Sequence, residues 1–146
     1  MDGFTAPDPD FERRVRQSFA LQPAMETLGG TMERVEPGLV EIRMPFSERL
    51  TQHNGYIHAG ILSTILDSAC GYAAFTLAPA GTNVLTVEYK ANFMAPGRGE
   101  VFVATGRVLK AGRTLIVSQG EVTAHRAGAD PVQLVAMLAT IIVLHR

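Results

Sequence analysis

A single apolar helix set among strand-forming segments constrains this chain more than any other feature. Ile57, Ile61, Leu62, Ile65, Leu66, Ala69 and Ala73 recur at helical spacing, and Pro79 and Gly81 close the run, so one long helix is expected over roughly residues 58–77. After it the period changes. Residues 83–93, 101–109, 114–123 and 131–144 are rich in Val, Leu, Ile and Thr and are separated by Pro96-Gly97, Ala111-Gly112 and Gly128, which predicts four strands joined by short turns. Ahead of the helix, residues 31–45 read as a hairpin broken at Pro37-Gly38. This order of elements predicts an α+β domain in which a six-stranded, mostly antiparallel sheet packs on one long helix.

One helix covers one face of such a sheet. In the last strand both alternating sets are apolar: Leu134, Ala136, Leu138 and Ile142 on one side, Val135, Met137, Ala139, Ile141 and Val143 on the other. Both faces therefore want burial, and the face without a helix is expected to meet another copy of the chain in a homodimer or homotetramer.

Near the start, Asp8 precedes Pro9, and Phe11, Val15 and Phe19 recur at spacing four. A short helix capped by Asp8 and ending before Pro23 is expected there. This gives an N-terminal extension over about 8–22 ahead of a core over about 24–144, within a single domain spanning 1–146. Arg13, Arg14 and Arg16 read as its solvated face.

Thirteen Lys and Arg against fourteen Asp and Glu leave a net charge of -1. Such a balance supplies no field to draw in nucleic acid or an anionic membrane. One Cys builds neither a disulfide framework nor a Cys-rich zinc site. The opening Met1, Asp2, Asp8, Asp10 and Glu12 run against the basic, then apolar, start of a secretory signal, so a cytoplasmic location is expected. The apolar run 134–144 is eleven residues long, where a membrane helix needs roughly 20. The uncharged run 68–87 carries Gly71, Pro79, Gly81 and Asn83, so no membrane span is expected.

The segment that carries chemistry is Gln52-His53-Asn54-Gly55-Tyr56-Ile57-His58-Ala59-Gly60, which runs into the start of the long helix. A helix start offers unbonded N–H groups and partial positive charge, suited to a carbonyl oxygen that becomes negative during acyl transfer. Small residues at Ala59 and Gly60 allow close approach, although a tight turn under packing pressure explains the same residues. Asp67 sits among Ile65, Leu66, Ala69 and Cys70. A carboxylate in such surroundings is either satisfied by a partner or kept for use as a base or nucleophile. The eight residues from Ala59 to Asp67 span about 12 Å at 1.5 Å per residue. One carbonyl cannot touch both in the same chain, so if both act, the helix start of one subunit works with the Asp67 of another.

Gln52, His58-Ala59-Gly60, Asp67, Thr86-Val87-Glu88-Tyr89-Lys90 and Phe93-Met94-Ala95-Pro96 together resemble the hotdog-fold acyl-CoA thioesterases, in their phenylacetate-pathway (PaaI-like) branch, over about residues 24–144. The resemblance implies hydrolysis of an acyl-CoA to free acid and CoA. It implies Asp67 as base or nucleophile, Gln52 orienting substrate or water, Thr86 holding the water or the carboxylate, and the Ala59 and Gly60 amides as oxyanion hole. Ala59 stands where the family usually has Gly, but the group required there is a backbone N–H, which Ala supplies. No metal or redox cofactor is implied, CoA entering only as part of the substrate.

Each of these residues has a plainer reading. His58 reads as a structural or orienting residue, His53 as a loop residue, and Cys70 as a small core residue. His53, His58 and Asp67 do not make a metal site, because His58 and Asp67 lie far apart along one helix. Tyr72 and Phe75 serve either an acyl pocket or the core. Arg98, Lys110 and Arg113, at the turns between late strands, are candidates for the CoA phosphates and equally for ordinary solvated turns. A non-catalytic acyl-CoA or small-ligand binding module, with Asp67 structural, is the alternative from another class. A hotdog hydratase or dehydratase would need a His with an acidic partner, which the spacing does not offer.

Overall fold

The long helix sets the layout. In the computed structural model, which describes residues 3–145, α1 is Phe11–Ala20, α2 Pro23–Leu28, β1 Thr31–Glu36, β2 Leu39–Pro45, α3 Ala59–Phe75, β3 Asn83–Phe93, β4 Val101–Ala111, β5 Leu115–His125 and β6 Val132–Leu144. Met1, Asp2 and Arg146, and with them the first two residues of the leader argument, lie outside the described residues. The six strands form one sheet in the order β1-β2-β4-β5-β6-β3, every neighbouring pair antiparallel. The helix α3 lies across β2, β4 and β5, and this is the hotdog arrangement.

How closely α3 seats on the sheet is decided by two glycines. Gly106 of β4 and Gly120 of β5 are direct cross-strand partners. A Cβ on Gly106 would stand 2.6 Å from the Cys70 nitrogen, and one on Gly120 would stand 2.6 Å from Leu66 Cδ1. Neither position carries a side chain, so the backbone of α3 drops onto the sheet at Ala69-Cys70. Leu62, Ile65, Leu66 and Ala69 then bury against Ile42, Phe102, Val122 and Ile141 to form the core.

Two N-terminal features differ from the sequence reading. Asp8 does not cap α1. Its Oδ1 accepts from the Asp10 N–H at 2.9 Å, and its carbonyl accepts from the Phe11 N–H at 3.1 Å. The aspartate thus closes a local turn on residue i+2, as Asp side chains do readily, and the helix begins at Phe11. Its Oδ2 is meanwhile held by Arg14 Nε at 3.0 Å, in an ion pair whose angle falls short of a hydrogen bond. Arg14 is therefore no solvated residue. The second difference is α2, which the sequence reading missed: Pro23 opens it at a first-turn position and Gly29, at φ 69°, closes it left-handed.

The sheet has one covered face and one bare face. On β6, Val135, Met137, Ala139, Ile141 and Val143 are buried toward α3, while Leu138 on the opposite face is 51% exposed. At the edge, β3 pairs only with β6 and is exposed along most of its length, including Leu85, Val87, Tyr89 and Phe93. An eleven-residue edge strand carrying apolar side chains is a template for pairing with another chain. Among the described residues no helix is long and apolar enough to cross a membrane.

Candidate active site

The approach to α3 is built from backbone bonds. Gln52 N–H donates to Tyr56 O at 2.9 Å and Gly55 N–H to Gln52 O at 3.0 Å, a tight turn that needs Gly55 at φ 83°. His58 N–H donates to Leu50 O at 3.0 Å, and Ile57 N–H to Gly97 O at 2.9 Å. Gly97 must lack a side chain, since its Cβ would lie 2.7 Å from Ile57 O. The loop after β3 thereby clamps the residue that precedes the helix cap.

His58 is that cap. Its Nδ1 accepts from the Gly60 N–H at 2.8 Å, so the ring proton sits on Nε2. The same bond occupies the Gly60 amide, one of the two donors assigned to the oxyanion hole from sequence. Ala59 N–H, at the first helical position, has no acceptor within its helix, and among the described residues none is bonded to it. Gln52, Tyr56, His58 and Ala59 face Phe93 and Pro96 across a cavity of about 400 Å³.

Asp67 lies two turns further along α3, in a second cavity of about 300 Å³. Thr86 Oγ1 donates to Asp67 Oδ1 at 2.7 Å. A β-bulge between Thr86 and Glu88 shifts the pairing of β3 with β6 immediately after this contact. Among the described residues no Lys, Arg or His pairs with Asp67. Partial burial pushes its carboxyl pKa above the usual range, and the Thr86 hydrogen bond offsets part of that rise. Cys70, one turn on, is buried, and burial followed by the charge of Asp67 pushes its thiol up to about 12, the state of an unreactive core residue.

The candidate residues fall into two clusters. Gln52, His58 and Ala59 line a cavity at the start of α3, with Gly60 next to them in sequence, and Asp67 with Thr86 lines a separate one at its middle. The three cations named for the CoA phosphates do not gather within one chain. Arg98 Nη2 donates to Tyr56 OH at 2.9 Å with the guanidinium 5.1 Å over the ring, beside the helix-start cavity. Lys110 and Arg113 sit at the far end of β4, an eleven-residue strand about 33 Å long at 3.3 Å per residue. Turn position alone could not say which end of the sheet each cation occupies. Arg126, overlooked in the sequence, shares a cavity of about 260 Å³ with Arg98. Ser18 and Gln22, also overlooked, line the Asp67 cavity, and only the tertiary placement of α1 reveals them. Among the described residues no three His, Cys, Asp or Glu side chains converge as metal ligands would.

Comparison with known proteins agrees with the fold. The thioesterase superfamily profile matches residues 54–127, the span from the helix-start turn through β5. A Halobacterium salinarum protein with a provisional esterase name is 32% identical over 114 residues, covering 73% of this chain and 75% of that protein. Human acyl-coenzyme A thioesterase 13 is 29% identical over 99 residues, 67% of this chain and 70% of its own. The crystal structure of a thioesterase family protein from Silicibacter pomeroyi superposes with a TM-score of 0.91 at 47% identity, covering 93% of this chain and 99% of that one. By profile, sequence and fold together, this chain belongs to the thioesterase superfamily.

Proposed function

We propose that the protein hydrolyses acyl-CoA thioesters at sites shared between two copies of the chain. The observation that carries this reading is the Thr86–Asp67 contact at 2.7 Å, which aims a partly buried carboxylate without a cationic partner into an open cavity. Such a carboxylate, poorly solvated, is suited in its ionised form to take a proton from water or to attack a carbonyl carbon itself. The second requirement is a donor for the carbonyl oxygen, and the Ala59 N–H at the positive end of α3 supplies it, with the capping bond of His58 holding that turn in place. Gly60, its amide occupied by the cap, leaves Ala59 as the free donor. Gln52, beside this amide, orients substrate or water.

Ala59 and Asp67 are eight positions apart, about 12 Å along the axis. A homodimer resolves the separation when β3 edges pair and two antiparallel α3 helices come alongside, placing one chain's Ala59 near the other's Asp67. The exposed apolar residues of β3 support this partner. The substrate then brings its own CoA, whose phosphates can reach Arg98 at the helix-start end. No bound cofactor or metal enters the mechanism. Release of free thiol from a panel of acyl-CoAs tests the reading. Turnover should fall by several orders of magnitude in Asp67→Asn with ligand binding largely retained, and by less in Gln52→Ala and Thr86→Ala. Near-normal turnover in Asp67→Asn sinks the chemistry.

A further inference from the structure

The cavity beside Asp67 is closed by an element that lies outside the segment matched by the superfamily profile. That profile begins at residue 54, whereas Ser18 of α1 and Gln22 just beyond it line the cavity together with Tyr72. Gly71 and Tyr72 are four and five residues past Asp67, so the wall stands about 6 to 7.5 Å further along α3. At Gly71 a Cβ would meet nothing within 4 Å, so the space beside the helix is open between the carboxylate and the wall. The cavity of about 300 Å³ is roughly twice the size of one that holds benzene.

The wall is polar and fixed. Ser18 Oγ and Tyr72 OH lie 3.2 Å apart. Each hydroxyl has one donor and two acceptor positions, so their mutual bond leaves one donor and several acceptor positions for a ligand. Burial raises the Tyr72 phenol pKa and outweighs the hydrogen bond it shares with Ser18, so it stays protonated. Arg14 secures α1 behind this pair. Its guanidinium donates to Phe75 O at 3.2 Å, Ala78 O at 2.7 Å and Pro79 O at 3.1 Å, all at the C-terminal end of α3, and lies 4.3 Å over the Phe75 ring. Phe19 packs edge-on against Tyr72 at 5.8 Å.

We propose that this wall selects the acyl group: Ser18 and Tyr72 recognise a hydroxyl or similar hydrogen-bonding group at the far end of a short acyl chain, so that such acyl-CoAs are preferred over plain hydrocarbon ones. The inference rests on the thioester-hydrolysis reading of Asp67 and adds the substrate class. A methyl group seated at the wall leaves the one remaining donor without a partner, and the site then discriminates by what is left unpaired.

The test compares kcat/KM for hexanoyl-CoA and its ω-hydroxy counterpart. Wild-type protein should favour the hydroxylated substrate by about tenfold, the worth of one good hydrogen bond. In Ser18→Ala/Tyr72→Phe that ratio should collapse toward one, while Asp67→Asn should lower both substrates together and leave the ratio alone. Gly71→Leu, whose Cβ meets nothing within 4 Å and whose side chain extends from the cavity lining, should lower hexanoyl-CoA hydrolysis relative to acetyl-CoA. Hydrolysis of both substrates with no hydroxyl preference, or a preference that survives the double substitution, overturns this inference and leaves the hydrolytic reading standing. Failure of folded wild-type protein to release thiol from any acyl-CoA overturns both.

Discussion

Gly106→Ala tests whether the seating of α3 governs the site. The added Cβ would overlap Ala69 C and O and stand 2.6 Å from Cys70 N, where ordinary contact begins at 3.4 Å, so α3 must lift by about 1 Å. The obstacle is helix backbone, which has no rotamer to change. Overpacking of this kind costs about 2 kcal/mol, or a fall in Tm of roughly 4–8 °C for a chain of this length. Asp67 lies two residues before Ala69 and rises with the helix. Its 2.7 Å bond to Thr86 would stretch to about 3.7 Å, past useful hydrogen-bond length. Misplacement near 1 Å costs up to about a hundredfold in rate, so kcat/KM should fall by one to two orders of magnitude. Denaturant melts paired with thiol-release kinetics measure both effects. The control is Gly71→Ala on the same helix, which meets no atom within 4 Å and should hold stability or raise it by up to about 1 kcal/mol. A Gly106→Ala protein with wild-type stability and kinetics would refute the claim that glycine-to-backbone contact positions Asp67.

Two further expectations concern charge. Burial raises the folded-state pKa of Asp67, so the folded protein binds a proton more readily than the unfolded one, and stability falls as pH rises from the unfolded carboxylate pKa through the folded one. Asp67→Asn should therefore be as stable as wild type or more so at neutral pH despite losing turnover, and it should lose that part of the pH dependence; a marked drop in its neutral-pH Tm would contradict the assignment. In wild type, kcat/KM should rise with pH through a pKa above the usual carboxylate range, because the ionised form does the work. Arg14→Ala leaves Asp8 buried without its partner and frees three carbonyls of the α3 end, so it should cost about 3 kcal/mol. Arg14→Lys should recover little of this, since a point charge cannot serve three acceptors and a ring face together; full recovery in a denaturant melt would show that charge alone matters.

The sequence made the alternation of α and β elements legible because Ile57 to Ala73 and the late strands carry unambiguous periods, and α3 and four of the strands lie within a few residues of their expected ends. It also made Asp67 conspicuous, as a carboxylate among Ile65, Leu66 and Ala69. What it hid are relations made only in three dimensions. Gly106 and Gly120 read as weak strand residues, since nothing local says a helix backbone lies above them. Arg14 read as surface because its acceptors are more than sixty residues away in sequence. His58 was seen as orienting, yet its use of the Gly60 amide depends on the rotamer that brings Nδ1 within 2.8 Å. Arg98, Lys110 and Arg113 all look like turn cations, and only the length of β4 separates them.

The shared site is the central claim, and mixing two inactive proteins tests it most directly. Asp67→Asn keeps the helix start and loses the carboxylate, while Ala59→Pro keeps Asp67 and removes the one amide at the helix start that no acceptor occupies. Proline is tolerated at the first turn of a helix, and circular dichroism with sedimentation verifies that this variant folds and dimerises. After unfolding and joint refolding, random pairing makes about half the dimers mixed, each with one intact site of two, so roughly a quarter of wild-type activity should return. Mixed dimers that form but hydrolyse nothing would place Ala59 and Asp67 in service of one chain's own site and contradict the account.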